Sequence, residues 1–150
     1  MSFKIGTYNI QHGVDRLHFL KTKETKINLT AIVEAIRKMD LDICGLNEVW
    51  NHEAIPGECN QASVIAEELG YHYFFAKAID HRKVGEYGNA LLSRYPILSV
   101  RCIPIRYPME KRIEGASYED RVILAAEIEI EEKTLTVLCT HLCLSSSSKN

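Results

Sequence analysis

Hydrophobic patterns of two kinds follow one another along this chain. The first half alternates short, almost continuously apolar runs with two stretches that carry the i, i+3, i+4, i+7 stripe of an amphipathic helix. The second half consists mainly of runs in which apolar and polar residues alternate, the pattern of half-buried strands. This order predicts an α/β layer whose later part is an antiparallel sheet.

Caps and turns bound the predicted elements. Asn28 caps a predicted helix that runs to about Met39, and Asn60 caps a second helix that Gly70 ends. We expect strands at Phe3–Ile10, Leu41–Asn47, Tyr71–Ala78, Asn89–Ser93, Ile97–Ile105, Arg121–Ile130 and Thr134–Leu142. We expect loops at Gln11–Thr25, Val49–Gly57, Asp80–Tyr87 and Arg106–Asp120, and a frayed polar tail at Ser145–Asn150.

Length and charge limit the class of protein. A chain of 150 residues has the size of one domain, and no internal repeat or linker divides it. The longest apolar run, Val122–Ala126, has five residues, which is too short to span a membrane. The N-terminus lacks the pattern of a secretory signal, so we expect a cytoplasmic protein. The net charge of −2 and the lack of a basic stripe disfavour a general nucleic-acid binder.

The cysteine pattern favours reduced thiols. The chain has five cysteines, an odd number, and no two of them form the Cys-x-x-Cys spacing of a structural zinc site. Cys44 and Cys139 lie in apolar runs, so we expect them to be small buried hydrophobic residues. Free thiols are therefore preferred to a disulfide framework.

Polar residues stand at the ends of several predicted strands, where functional groups of layered α/β folds tend to lie. Asn9 and Glu48 end the first two strands, Asn89 opens a later one, and His141 lies near the end of the last. One carboxylate with an amide oxygen and several waters is a shell that Mg²⁺ accepts. The alternative for Glu48 is a solvated side chain at the start of a loop.

The other candidates also have two interpretations each. His141 either contacts a phosphate oxygen or is a rim residue bonded to the backbone, and Asn89 is either a site residue or part of a turn. Arg121 either clamps an anion or pairs with a carboxylate. The basic and aromatic segment Arg106–Asp120 is either a substrate loop or a solvated one.

The strand ends read, in chain order, Thr-Tyr-Asn-Ile, Leu-Asn-Glu-Val, Gly-Asn-Ala-Leu-Leu-Ser-Arg-Tyr-Pro-Ile and Thr-His-Leu. This order resembles the endonuclease/exonuclease/phosphatase superfamily, which includes deoxyribonucleases, sphingomyelinases and inositol 5-phosphatases. The opening Thr7–Gly13 is most similar to its small bacterial members. The resemblance implies a four-layer α/β/β/α sandwich and metal-dependent hydrolysis of a phosphoester.

The resemblance also implies roles for particular residues. Glu48 matches the glutamate that binds the metal, Mg²⁺ or alternatively Mn²⁺, and Asn9 matches the asparagine that supports it. Asn89 matches a polar position lining the phosphate site, and His141 matches the histidine that contacts the scissile phosphate. Arg121 matches an arginine that several members keep close to the site. Asn47 departs from the pattern, because the family commonly has glutamine there.

Two family motifs are missing from these 150 residues. After Thr-His-Leu the family continues with Gly-Asp-x-Asn and later Ser-Asp-His, which supply the groups that activate water, and neither occurs here. We therefore expect residues 1–150 to be one incomplete domain and to be inactive alone. The alternative is a non-catalytic module that binds a partner or self-associates through uncovered sheet surface. The substrate remains open among DNA, RNA, lipid, inositol phosphate and nucleotide, and the charge favours a small phosphoester over long DNA.

Overall fold

The computed structural model describes residues 2–52, 59–80, 85–107 and 119–142. The strands in these ranges are β1 (Ile5–Asn9), β2 (Ile43–Asn51), β3 (His72–Asp80), β4 (Glu86–Ser93), β5 (Ile97–Ile105), β6 (Arg121–Ile130) and β7 (Lys133–Thr140). The helices are α1 (Arg16–Thr22), α2 (Leu29–Met39) and α3 (Gln61–Leu69), and a single 3-10 turn lies at Gln11–Gly13. All seven predicted strands and both predicted helices are present, with ends shifted by a few residues.

The strands form two sheets. The first has the order β1-β2-β4-β3, in which β1 runs parallel to β2 and the other neighbours are antiparallel. The second has the order β5-β6-β7 and is antiparallel throughout, with the predicted hairpin between β6 and β7. Parallel pairing of β1 and β2 brings the carboxyl ends of both strands to one edge, because α2 returns the chain to the opposite edge between them.

The helices α2 and α3 cover one face of the first sheet. The apolar stripe of α2, which contains Ile32, Val33 and Ile36, is buried in one core cluster with the α3 residues Ala62 and Ile65. Both helices begin at the predicted asparagine caps. Burial of these stripes, at about 25 cal/mol per Å² of apolar surface, holds both helices against the sheet.

The second sheet packs on the other face of the first. Ile43 and Leu91 from the first sheet and Leu124, Ala126 and Ile128 from β6 form a second core cluster in which each is buried. The alternation predicted for β6 therefore separates its core face from its outer face. The described residues form a helix layer and two sheets, which confirms the α/β sandwich class.

One predicted loop was wrong, because Gln11–Thr25 contains the 3-10 turn and the helix α1. Asp15 caps α1 by accepting a hydrogen bond from the His18 amide at 2.9 Å. None of the seven residues of α1 is buried, so this helix has no core-facing stripe for the sequence to reveal. Its cap and the neighbouring backbone bonds hold it instead.

Two further loops are shorter than predicted, since β2 continues to Asn51, and β3 and β4 extend to Asp80 and back to Glu86. The predictions for 53–58, 81–84, 108–118 and the tail at 145–150 lie outside the described residues.

The described cysteines are free thiols, and burial raises the pKa of Cys44 to about 12 and that of Cys139 to about 11. No helix in the described ranges is long and apolar enough to cross a membrane.

Candidate functional site

Three neighbouring strands bring polar residues to one edge of the first sheet, the edge at which β1 and β2 have their carboxyl ends. Asn9 pairs with Asn47 in the parallel register of β1 and β2, and Asn47 pairs with Asn89 in the antiparallel register of β2 and β4. Three asparagines thus lie side by side across the sheet. Two of them are buried, Asn47 at 9% and Asn89 at 2% exposure, so their amides need partners inside the protein.

A β-bulge turns Glu48 out of the regular sheet. The register of β2 against β4 shifts between Asn47 and Val49, and Glu48 has a φ of 58° in the left-handed region. A bulge re-aims the side chain of the extra residue. The Oε1 atom of Glu48 accepts a hydrogen bond from Asn9 Nδ2 at 2.8 Å, and Asn9 Oδ1 accepts one from the Gln11 amide at 3.0 Å. The Glu48 carboxylate is therefore held by the side chain of Asn9, which is itself held by the Gln11 amide.

Asn47 and Asn89 connect the first sheet to the second. Asn47 Nδ2 donates to Asn89 Oδ1 at 3.0 Å and to the carbonyl oxygen of Thr140 at 3.2 Å. Asn89 Nδ2 and the hydroxyl of Thr140 both donate to the carbonyl oxygen of Val122, at 3.3 and 3.0 Å. Asn47, which departs from the family pattern, thus donates hydrogen bonds to residues of both sheets.

These bonds bring Arg121 and His141 to the same edge. Arg121 directly precedes Val122 in β6, and His141 directly follows Thr140, the last residue of β7. Arg121 Nη1 lies 3.0 Å from Glu119 Oε2, so an ion pair holds this guanidinium. The structure therefore gathers Asn9, Glu48, Asn89, Arg121 and His141, all five residues proposed from the sequence, at one edge of the two sheets.

An aromatic cluster lies beside Glu48. The ring of His12 stacks on Trp50 with centroids 4.5 Å apart, and it meets Tyr87 at 5.1 Å. Tyr87 is buried at 8% exposure. Burial and the charges of Glu48 and Glu119 raise the pKa of Tyr87, and Arg121 opposes this rise. Tyr87 thus stays a neutral phenol next to the charged residues of the site.

Gln61, which no sequence pattern indicates, links the two backbone segments that carry the Asn9–Glu48 pair. Its Oε1 accepts from the Trp50 amide at 3.0 Å, and its Nε2 donates to the His12 carbonyl oxygen at 2.7 Å. It is buried at 4% exposure, as the first residue of α3. A glutamine at a helix start carries no sequence signal of such a role.

Glu48 offers a carboxylate that could hold a metal ion at this edge. Within the described part of the chain, no three His, Cys, Asp or Glu side chains come together as a metal cluster. Glu48 is a hard oxygen ligand, whereas both polar atoms of Asn9 already take part in hydrogen bonds. One carboxylate that is oriented by a neighbouring amide is compatible with Mg²⁺ or Mn²⁺, which take oxygen ligands.

Comparison with known proteins agrees with this architecture. Residues 6–126 match the model of the Endonuclease/Exonuclease/phosphatase family. Protein cwh43 of Schizosaccharomyces pombe (strain 972 / ATCC 24843) is 31% identical over 97 residues, which cover 65% of this chain and 9% of that protein.

Solved structures are similar over nearly the whole chain. An endonuclease/exonuclease/phosphatase from Beutenbergia cavernae DSM 12333 has a TM-score of 0.72 and 24% identity, covering 97% of this chain and 39% of that one. A family protein from Leptotrichia buccalis C-1013-b has a TM-score of 0.67 and 17% identity, covering 97% of this chain and 57% of that one. This chain thus spans only part of the length of these relatives. It belongs to the endonuclease/exonuclease/phosphatase family.

Proposed function

We propose that this chain carries the metal-binding and phosphate-facing residues of a Mg²⁺-dependent phosphoesterase. The observation that supports this most directly is the hydrogen bond of 2.8 Å between Asn9 Nδ2 and Glu48 Oε1, formed at a bulge that turns Glu48 out of the sheet. A solvated glutamate at a loop start needs no such bulge and no buried frame of asparagines behind it.

In this proposal each residue has a separate task. Glu48 binds Mg²⁺ through its carboxylate, and Asn9 orients that carboxylate by its hydrogen bond. Bound Mg²⁺ supplies Lewis-acid polarisation of a phosphoryl oxygen. We expect His141 and Arg121 to donate to the oxygens of the phosphate, while Asn89, which is buried, braces the strand ends that carry them through its bond to the Val122 carbonyl oxygen. The Gly-Asp-x-Asn and Ser-Asp-His motifs, which the resemblance implies would activate water, do not occur in these 150 residues, so the chain alone is expected to be inactive.

Metal binding tests the proposal without the need for turnover. Titration of the chain with Mn²⁺, followed by electron paramagnetic resonance, is expected to detect one site that Glu48→Gln removes. Asn9→Ala is expected to weaken that site by about 10- to 100-fold, the usual effect of losing an orienting partner. Glu129→Gln, an exposed glutamate on β6, is the matched control and leaves binding unchanged. Equal binding by wild type and Glu48→Gln would refute the metal site.

Hydrolysis tests the expected inactivity. With bis-p-nitrophenyl phosphate and Mg²⁺ or Mn²⁺, the 150-residue chain is expected to give no turnover above the metal blank. Robust turnover that Glu48→Ala abolishes would show that the missing motifs are not required. The substrate class is a phosphoester, and the net charge of −2 favours a small one over long DNA.

One observation favours a second candidate, a non-catalytic module that self-associates. A groove of about 440 Å³ lies between the edge strands β1 and β7 and is lined by Ile5, Ile43, Leu91 and Leu138. Ile5 is 51% exposed and Leu138 is 66% exposed. In the described part of the chain, β1 and β7 each pair with one strand only, so both have a free backbone edge.

Light scattering over a range of concentrations decides this candidate. If two copies cover each other's grooves, the mass is expected to rise toward that of a dimer, and Leu138→Lys is expected to return it to the monomer. Leu98→Lys, which changes a 53% exposed leucine on β5, is the matched control. A folded wild-type chain that stays monomeric at every concentration would rule out assembly through these edges.

A further inference from the structure

The helix α1 projects from the rim of the site without packing into the core. None of its residues is buried, and Leu17 and Leu20 are 71% and 61% exposed. Leu17 is the most exposed large hydrophobic side chain in the described ranges. We call residues 15–27 the α1 projection. Neighbouring exposed apolar side chains that are bordered by polar residues are a feature of interaction surfaces.

The charges of α1 border its leucines on both sides. At 3.6 residues per turn, Leu17 and Leu20 lie about 60° apart around the axis, with Arg16 and Lys21 about 40° beyond them on either side. Both basic side chains are exposed, while His18 and Phe19 on the opposite side are half-buried. The leucine face therefore points outward with a cation at each border.

The projection also differs in charge from the rest of the chain. It holds four Lys or Arg residues against two acidic ones, a balance of +2, whereas the whole chain carries −2. Lys23 and Lys26, both exposed, add to the charge of α1. Basic residues around exposed leucines on a short helix are the pattern of a segment that lies at the surface of an anionic membrane.

The backbone fixes the projection beside the site. The Asp15 amide donates to the Lys26 carbonyl oxygen at 2.8 Å, and the Asn28 amide donates to the Gly13 carbonyl oxygen at 2.8 Å. Gly13 ends the 3-10 turn whose first residue, Gln11, bonds to Asn9 Oδ1. A surface that docks through Leu17 and Leu20 would thus lie next to the Asn9–Glu48 pair.

We propose that the α1 projection is a docking surface for anionic lipid bilayers, formed by Leu17 and Leu20 between Arg16 and Lys21. Nucleic acid fits less well, because exposed leucines add nothing to phosphate contacts. A protein partner fits less well too, because two leucines supply little of the roughly 1,000 Å² that a stable interface buries. This bilayer proposal does not depend on hydrolysis. One consequence does rest on the proposed function: docking would bring lipid phosphoesters within reach of the site.

Vesicle co-sedimentation of the full chain tests the proposal. The chain is expected to bind phosphatidylcholine vesicles that contain about 30% phosphatidylserine. Its binding to pure phosphatidylcholine vesicles is expected to be weaker, and binding to the anionic vesicles is expected to fall as the salt concentration rises. Leu17→Ser with Leu20→Ser is expected to weaken binding by at least about tenfold. Arg16→Glu with Lys21→Glu is expected to weaken it by at least about fivefold for each charge removed. All four side chains are exposed, so these variants are expected to melt like the wild type.

Matched controls change the same residue types elsewhere. Leu98→Ser on β5, and Arg101→Glu with Lys133→Glu on the second sheet, are expected to bind like the wild type. As a second measurement, Leu20→Trp is expected to shift its fluorescence to shorter wavelength on anionic vesicles. Absence of vesicle binding, or binding unchanged in the leucine variant, would overturn the proposal. The proposal would also be overturned if the chain bound no vesicles but shifted the mobility of single-stranded DNA in a salt-sensitive way, and if this shift depended on Arg16 and Lys21 but not on the leucines.

Discussion

At the scale of single residues, Glu48 is the one whose backbone departs most clearly from its strand. A non-glycine residue at a φ of 58° costs about 1–3 kcal/mol, and the surrounding structure must compensate for this cost. The bond from Asn9 and the strands on either side of the bulge provide the compensation. Backbone outliers of this kind cluster at functional sites, which supports the metal site proposed at Glu48.

Gln61 permits a test of how this strained residue is held. Gln61→Met keeps the volume but leaves the Trp50 amide and the His12 carbonyl oxygen without their side-chain partner. Losing a partner of a buried polar group costs about 1–3 kcal/mol, so urea denaturation is expected to show a loss of that order. The Asn9–Glu48 pair loses its brace, and Mn²⁺ affinity is expected to fall about tenfold or more.

The control for this prediction lies on the same helix. Glu67→Met introduces the same side chain on the exposed face of α3 and is expected to change neither stability nor metal affinity. If Gln61→Met lost stability but kept its Mn²⁺ affinity, Gln61 would be a structural residue with no part in positioning the site.

At the scale of elements, the close contact of β3 and β4 depends on Gly88. A Cβ atom there would overlap the carbonyl oxygen of Ala76 and lie 3.0 Å from its carbonyl carbon. Backbone atoms of a paired strand cannot rotate away, so Gly88→Ala is expected to cost at least about 1–3 kcal/mol in urea denaturation. The displacement would also reach Asn89, the next residue in β4.

Gly6→Ala in β1 is the matched control. Its Cβ would lie 2.6 Å from Leu41 Cδ1, the tip of a side chain that can change rotamer. We expect the loss of unfolding free energy to be clearly smaller than for Gly88→Ala. Similar losses for both variants would mean that β3 and β4 can separate without penalty.

At the scale of the whole molecule, an ion network opposite the site links α2 to the first sheet. Lys4 Nζ lies 2.8 Å from Asp40 Oδ2, and Arg94 Nη2 lies 2.7 Å from Asp40 Oδ1. The hydrogen bonds from Lys4 and Arg94 lower the pKa of Asp40 from 3.8 to about 2. The group is exposed, so solvent screens the stabilisation that it provides.

The lowered pKa of Asp40 sets a pH window. A carboxyl with a depressed pKa in the folded state contributes stability above its ordinary pKa, and this contribution is lost as the pH falls through the folded value. Asp40→Asn is expected to lower the Tm at neutral pH, and the difference from wild type is expected to close between pH 3.8 and about 2. Glu67→Gln, exposed on α3, is the control in the same thermal melts. A difference in Tm that does not change with pH would exclude Asp40 ionisation as its cause.

The sequence alone determined the class of fold, because strand and helix periodicity reflects which side of each element faces a core. Asn28 and Asn60 capped the predicted helices, and the β6 alternation separated its two faces. The sequence did not reveal α1, because a helix without buried residues has no periodic apolar stripe.

The five candidate site residues also came from the sequence, since each stands at the end of an apolar run or in a short motif. Only the tertiary structure decided how they meet. The parallel register of β1 and β2 pairs Asn9 with Asn47, the bulge aims Glu48, and bonds from Asn47 and Asn89 bring the second sheet to the same edge. Gln61 became visible only there, because its two partners lie 11 and 49 residues away along the chain. Contacts at such separations depend on how the sheets pack, and local sequence patterns do not encode them.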